Sequence, residues 1–501
     1  MLEGLEVSEI KLSMLNEELR IDAEYFSKQN ISGIKRLSDF GTIKISDIAE
    51  VTDGIHTSID YDENSRINLI SAGSPKENVF DLSRNVFISE KAHKANPRTA
   101  LRKNDVIIST VGTIGNCAVV DESILPANCD RHVGIIRIKK DYSPYVLSTF
   151  LLSKYGRLQT MRESTGNVQL NLFIYKLKEL LIPAFSKDFQ SKIETLVKSA
   201  HAKLEESKSL YVQAENLLLC ELGMSGENLS EFSKPCGGAN VSIKRFSDVF
   251  QSGRLDSEYY QKKYDLIEEK IKSYKGGFEI VSNLFIQNVD VCNYKKSEYN
   301  YIEIGDVNVG DGSVSFNRIE ASALPDNAKR VLKKGDILIS KVRPYRGAVA
   351  IVDFEQNDLI GSGAFTVLHE KSDYKKETLQ VLFRTQVYRE WLLKWNVGSS
   401  YPVIKDEDIL NLPIPILSLE IQSKIASLVQ SSFVCRTESR QLLQNAKTLV
   451  EQEIEKQGEE IDEKKVAQIN AVYDKVSEKE QISMSRSSMR SMWEAVKNDT
   501  W

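Results

Sequence analysis

Ile182-Pro183-Ala184-Phe185-Ser186-Lys187-Asp188-Phe189-Gln190-Ser191-Lys192-Ile193-Glu194-Thr195-Leu196-Val197 returns without a gap as Ile414-Pro415-Ile416-Leu417-Ser418-Leu419-Glu420-Ile421-Gln422-Ser423-Lys424-Ile425-Ala426-Ser427-Leu428-Val429. In both copies a proline closes an apolar run and a serine stands where a helix N-cap would sit. An acidic residue then falls in the first turn, where the helix dipole favours it. Downstream, Phe189, Ile193, Leu196, Ala200, Ser207, Leu210, Ala214 and Leu217 form one stripe, and Ile421, Ile425, Leu428, Ser432, Ser439, Leu442, Ala446 and Leu449 form the same stripe again. This spacing on an otherwise polar helix predicts a coiled-coil seam. Two such helices in one chain most simply pack against each other, through Phe189, Ile193, Leu196 and Leu210 on one and Ile421, Ile425, Leu428 and Leu442 on the other. A duplicated protein with a helical spacer follows.

The duplication reaches further. Arg20-Ile21-Asp22-Ala23-Glu24-Tyr25-Phe26 matches Arg254-Leu255-Asp256-Ser257-Glu258-Tyr259-Tyr260, and Leu101 to Ser109 matches Leu332 to Ser340. Gly115-Asn116-Cys117-Ala118-Val119-Val120 parallels Gly347-Ala348-Val349-Ala350-Ile351-Val352. Each half reads as a lead-in segment, a globular domain and a long helix. The boundaries are a lead-in at 1–35, a first domain at 36–183, a helix at 184–223 and a linker at 224–240. A second domain follows at 241–415, then a helix at 416–456 and a helical extension or tail at 457–501. Gly223 is a natural helix stop. Short β-branched runs such as Val106-Ile107-Ile108 and Ile337-Leu338-Ile339 read as buried strands, and helices are expected near Tyr145 to Met161 and Leu379 to Trp395. The fold class is mixed α/β (α+β): two tandem domains with β-rich cores. Asp22 to Asn30 reads as either helix or loop. Glu451 to Lys465 reads as a solvated helix, Val466 to Val476 as a further helical segment, and Ser483 to Trp501 as a frayed end or docking tail.

Composition sets outer bounds. The 501 residues are 41% apolar and 27% charged, enough for more than one core. No run of 18 apolar residues marks a membrane span, and the N-terminus carries no secretory pattern, so a cytoplasmic protein without membrane contact is expected. Six scattered cysteines with no C-x-x-C pair suit free thiols. The net charge of −5 excludes a uniformly basic coat but leaves local patches open.

Catalytic signatures are missing: there is no phosphate loop, no H-E-x-x-H, no G-x-S-x-G and no Pro-Pro of an amino-methyltransferase motif. Gly112-Thr113-Ile114-Gly115 reads as a hairpin turn rather than a phosphate turn. Neither a metal site nor a cofactor bound by this chain is expected. Basic groups instead cluster beside the repeated strands, six between Arg84 and Asp105 and seven between Lys329 and Arg346. Lysine and arginine neutralise phosphates, and an arginine fork reads a guanine edge. Solvated surface is the bland reading of either patch, and matching places in two halves favour function. The loops Ser164 to Asn171 and Val397 to Pro402 precede the Pro-helix junctions at similar distances, with small polar and amide side chains suited to phosphates and adenine edges. A plain turn is the alternative. The candidate DNA-binding residues are therefore His56, Thr57, Lys91, Arg98, Thr110, Asn167, Gln169 and Asn171 in the first half. In the second half they are Arg330, Lys334, Lys341, Arg343, Tyr345, Arg346, Ser399, Ser400 and Tyr401.

With these residues in view, the chain resembles the specificity (S) subunits of type I restriction-modification systems across roughly residues 20 to 456. The Ile-Pro … Gln-Ser-Lys-Ile helix starts look like that family's conserved regions, although its commoner spelling has Glu-Gln where this chain has Phe189-Gln190 and Ile421-Gln422. Thr52-Asp53-Gly54-Ile55-His56-Thr57 resembles the opening loop of many such domains. Asp105 to Ile108 with Gly112 to Gly115, and Asp336 to Ser340 with Arg343-Pro344, resemble their mid-domain strand and turn. The C-terminal extension departs from the usual ending. The resemblance implies two target-recognition domains joined by an antiparallel helix pair in a non-catalytic DNA reader. It further implies that each domain reads half of a bipartite double-stranded target. The implied partners are two adenine-methylating modification subunits, which would bring S-adenosylmethionine, and through them restriction subunits. The alternative from another class is a duplicated-domain scaffold that binds polypeptides. A methyltransferase or nuclease with a concealed site is a third reading.

Overall fold

Each Ile-Pro junction closes a small antiparallel ladder before its helix begins. Leu181–Pro183 pairs with Thr42–Lys44, and Pro413–Pro415 pairs with Phe278–Ile280. Two-stranded ladders tolerate a residue that cannot donate. Ser186 Oγ then accepts from Phe189 N at 3.3 Å and Ser418 Oγ from Ile421 N at 3.4 Å, capping the two long helices. The repeated glutamine does the rest. Gln190 donates to the Phe185 carbonyl at 2.9 Å and accepts from Ser143 N at 2.9 Å, and Gln422 bonds the Leu417 carbonyl at 2.8 Å and Lys375 N at 2.9 Å. Tyr142 and Tyr374 donate to the carbonyls of Pro183 and Pro415. The motif recurs because it fastens each helix start to its own domain.

The computed structural model describes residues 7–12, 15, 20–83, 85–166, 168–225, 242–398 and 401–473, with side chains as far as 456. The chain divides into two units: one runs through Ser199 and resumes at Gln441, and the other is Ala200–Arg440. In the first, a four-stranded antiparallel sheet runs Ala49–Asp53, Val133–Ile138, Val106–Ser109, Cys117–Val119. Beside it, Ile67–Ile70 pairs antiparallel with Val86–Ile88 and parallel with Ala127–Cys129. The second unit repeats this plan with Phe285–Gln287, Phe365–Glu370, Ile337–Ser340 and Val349–Ile351 in one sheet. Its other sheet runs Asn317–Glu320, Glu298–Ile302, Leu359–Ser362, Ala328–Val331. The central strands Val106–Ser109 and Ile337–Ser340 are buried throughout.

Each expected mid-domain helix is two: Pro144–Leu152 then Lys154–Glu163, and Lys376–Arg384 then Gln386–Leu392. The breaks fall at Ser153 and Thr385, whose hydroxyls accept from the N–H groups three residues on and so cap a new helix. Asp22 to Asn30 is a turn followed by the start of the helix Lys28–Phe40, capped by Ser27.

The long helices are Lys187–Glu221 and Leu419–Tyr473. In the second unit they lie antiparallel, because Ser439 Oγ bonds the Ala200 carbonyl at 2.7 Å while Ser432 Oγ bonds the Ser207 carbonyl at 2.8 Å. In the first unit Ile193 and Val197 share a core with Ala446, Val450 and Ile454. One buried track repeats every seven residues, at Ile193, Ala200, Ser207 and Ala214 and at Ile425, Ser432, Ser439 and Ala446. The other track differs from the expected one. Leu196, Leu210, Leu428 and Leu442 are half-buried, as are Phe189 and Ile421, and full burial falls one residue on, at Val197, Tyr211 and Val429. From Ile193 and Ile425 the fully buried step is four, to Val197 and Val429, while Phe189, Leu196, Ile421 and Leu428 pack partly buried against the same cores. The second helix is one element to Tyr473, not two. The linker from 226 to 240 and the tail from Ser483 lie outside the described residues, and Gly223 ends its helix at φ 63°. Cys117, Cys129, Cys292 and Cys435 are buried free thiols and Cys220 is an exposed one. Among the described residues no helix is long and apolar enough to cross a membrane.

Behind each central strand sits an aspartate. Asp105 accepts from Arg102 N at 2.9 Å and pairs with Arg137 through contacts of 2.7 and 2.9 Å. Asp336 accepts from Lys333 N at 3.0 Å, and His369 Nδ1 lies 2.6 Å from its other oxygen. Both carboxylates are buried.

Candidate nucleic-acid interface

Strand register decides which loops meet. In the first unit Asp53 and Ile108 both face Gly134, and Ser109 faces Val133. The loops after Asp53, before Val133 and after Ser109 therefore emerge at one end of the sheet. The loop before the long helix joins them, since Val111 bridges to Asn171 and the Thr110 carbonyl accepts from Leu172 N at 2.9 Å. The second unit gathers the same four segments: Lys341 N bonds the Ala364 carbonyl, Asn288 N bonds the Val367 carbonyl, and Val342 bridges to Val403.

His56 and Thr57 are exposed at this end. Asp53 binds His56 Nε2 at 2.5 Å and Arg98 Nη1 at 2.9 Å. Burial opposes ionisation of Asp53, but the hydrogen bonds and charges of Arg98 and His56 outweigh it and hold the carboxyl below its ordinary pKa. Gly54 is required, because a Cβ there would sit 2.0 Å from the Asp130 carbonyl oxygen. Arg98 also donates to the Asp53 and Gly54 carbonyls at 3.2 Å, and Arg330 donates to the Val289 carbonyl at 2.9 Å. Both arginines brace the first loop of their unit through its backbone. Lys91 is exposed on the helix Glu90–Ala95 that leads to Arg98. Gln169 is exposed and Asn171 half-buried, its backbone paired with Thr165.

Two expected contact residues are engaged in the fold. Thr110 is buried, with N–H and carbonyl both bonded across the loop cluster, so its side chain offers no surface. Lys341 is tied to Asp406 at 3.1 Å with its side chain 16% exposed, and Thr366 Oγ1 holds the other Asp406 oxygen at 2.6 Å. Lys334 is exposed but sits before the strand Ile337–Ser340, at the opposite end from the loop cluster. Asn167, Ser399 and Ser400 lie outside the described residues, as does Arg84.

The cluster in the second unit centres on Arg343. Its N–H bonds the Pro402 carbonyl at 2.8 Å, and its guanidinium lies over the Tyr401 ring, 4.5 Å from the centroid. Tyr345, Arg346 and Tyr401 are exposed around it. Residues not singled out from sequence lie at the same loops: Arg131 and His132 in the first unit and Val289 in the second, all exposed or nearly so. Their signal was position, immediately flanking strands that share an end with the recognised turns.

The repeated Arg-x-Asp-x-Glu-Tyr also has a task here. Arg20 pairs with Asp22 at 2.8 Å, lies over Tyr25 and donates to the Arg162 carbonyl at 3.1 Å. Arg254 does the same with Asp256, Tyr259 and the Asn396 carbonyl. Each brace grips the chain just before the loop that precedes the long helix.

The family model for the type I restriction modification DNA specificity domain matches residues 37–211 and 267–445. The chain belongs to that family. One similar protein is the MjaIX type I restriction enzyme specificity subunit of Methanocaldococcus jannaschii, 31% identical over 160 residues, which are 32% of this chain and 32% of that protein. The HindI specificity subunit of Haemophilus influenzae is 28% identical over 109 residues, 21% of this chain and 24% of the relative. These alignments span about a third or less of each relative. The crystal structure of a type I restriction-modification S subunit from M. genitalium covers 83% of this chain and 95% of its own, at a TM-score of 0.37 and 14% identity.

Proposed function

We propose that this chain is a non-catalytic, sequence-reading subunit that binds double-stranded DNA through the loop-bearing end of each four-stranded sheet. The observation that carries the reading is the duplicated loop cluster. The same four segments are gathered by the same register in both units, with the repeated Arg20 and Arg254 gripping the chain beside them, in a chain of a DNA specificity family. Each unit reads one half of a bipartite site, and the stretch between the halves goes unread. The chain acts in the cytoplasm with two adenine-methylating modification subunits and, through them, restriction subunits. The methyl donor S-adenosylmethionine resides on the modification subunits, and this chain binds no cofactor.

The test is retention of a randomised duplex pool by the full chain at two salt concentrations, followed by sequencing. Two short motifs at fixed separation, with binding that weakens as salt rises, are expected. Retention without any enriched motif returns the chain to the scaffold reading. A single continuous motif removes the bipartite geometry.

A further inference from the structure

After Leu101–Ser109 and Leu332–Ser340 the repeats stay in step for three more residues, so Gly112 and Arg343 are equivalent. Each follows a residue, Val111 or Val342, that bridges to the loop before the long helix. Both backbones are left-handed there, with φ 74° at Gly112 and 49° at Arg343. Glycine adopts that conformation freely, whereas a long side chain does so at a cost. The second unit has accepted the strain in order to place an arginine at this point, since strained positions persist where the surroundings over-determine them. The surroundings do so here. Pro344 stiffens the following turn, Pro402 receives the Arg343 N–H, and Tyr401 supports the guanidinium from one face.

We propose that Arg343 is the specificity-determining residue of the second unit, its fork reading the O6 and N7 edge of a guanine in the major groove. This rests on the DNA-reading function above and deepens it. A planar fork held over a ring at a loop tip presents two parallel donors in a fixed direction, which a flexible lysine does not. The first unit, with Gly112 at the same place, has no such fork and reads its half-site by other groups.

The experiment is the same randomised-pool selection, run on the full wild-type chain and on Arg343→Gly and Arg343→Lys. Arg343→Gly installs the residue that its own repeat carries and relieves the left-handed strain, so its thermal midpoint should equal or exceed that of wild type. Expected for Arg343→Gly is loss of one G·C requirement in one half of the motif, a drop of roughly 5- to 150-fold in discrimination at that base pair, with the other half unchanged. Arg343→Lys should keep most of the affinity and still lose the discrimination. An unaltered motif in Arg343→Gly overturns the assignment while leaving the DNA-reading function intact. Equal weakening on every sequence also overturns it and makes Arg343 a phosphate contact. A wild-type chain that selects no motif overturns both.

Discussion

Asp105 and Asp336 hold the same place in two copies of one fold, yet they meet different partners: a guanidinium at Arg137 and an imidazole at His369. A guanidinium keeps its charge at any pH the protein meets, and an imidazole does not. Burial pushes the Asp336 carboxyl above its ordinary pKa, with the Lys333 N–H and His369 only partly opposing it. The shared duty of the aspartate is the bond to the backbone N–H three residues back, and the charge pairing is negotiable. Duplication preserves the geometry of an anchor more faithfully than its electrostatics.

The comparison breaks most readily by neutralising each carboxyl. Asp105→Asn strands Arg137, whose side chain is 14% exposed, and should cost about 3–5 kcal/mol in denaturant unfolding. Asp336→Asn removes a carboxyl that burial already penalises and should cost less than about 1 kcal/mol. Equal losses would mean the histidine carries a full charge pair. Next in size is the element that did not diverge. Gln190→Ala and Gln422→Ala each orphan a buried carbonyl and a backbone N–H, so each should cost about 1–3 kcal/mol, and by similar amounts. His369→Arg would give the second unit the pairing of the first and should stabilise it by about 1–2 kcal/mol at neutral pH. The smallest effect is a slope with pH. Folded Asp336 holds its proton more tightly than the unfolded chain, so its contribution to stability is largest below the ordinary carboxylate pKa of about 3.9. That contribution declines as pH climbs to the raised folded value and stays low above it. The stability of wild type relative to Asp336→Asn should therefore fall with rising pH across that window, and a flat difference would place both oxygens in solvent-like surroundings.

The duplication, the strands and the Pro-helix junctions were legible because each leaves a local mark: a repeated motif, a β-branched run, a serine cap. The exact seam was not, because Leu196 and Val197 both suit a helix face and only the partner decides between them. Thr110 and Lys341 looked like readers because a turn after a buried strand is usually exposed. Here the loop before the long helix folds over that turn, using Thr110 for its backbone and Lys341 for Asp406. Arg343 was legible as chemistry and not as geometry, since nothing in its neighbours announces a left-handed arginine. Arg98 and Arg330 show the converse: cations that counted toward a patch spend hydrogen bonds on a loop's own carbonyls.

The division of the chain also sets an order of events during synthesis. The first unit is begun before the second, but residues of its helical core, Ala446, Val450 and Ile454, are made only after the second is finished. The second unit, a contiguous insert from Ala200 to Arg440, is complete before them. Ile193 and Val197 can meet Tyr145, Ile182 and Phe185 at once, but their contacts with the second helix must wait while the whole of the second unit is made. That interval is when the nascent chain is most exposed to misassembly.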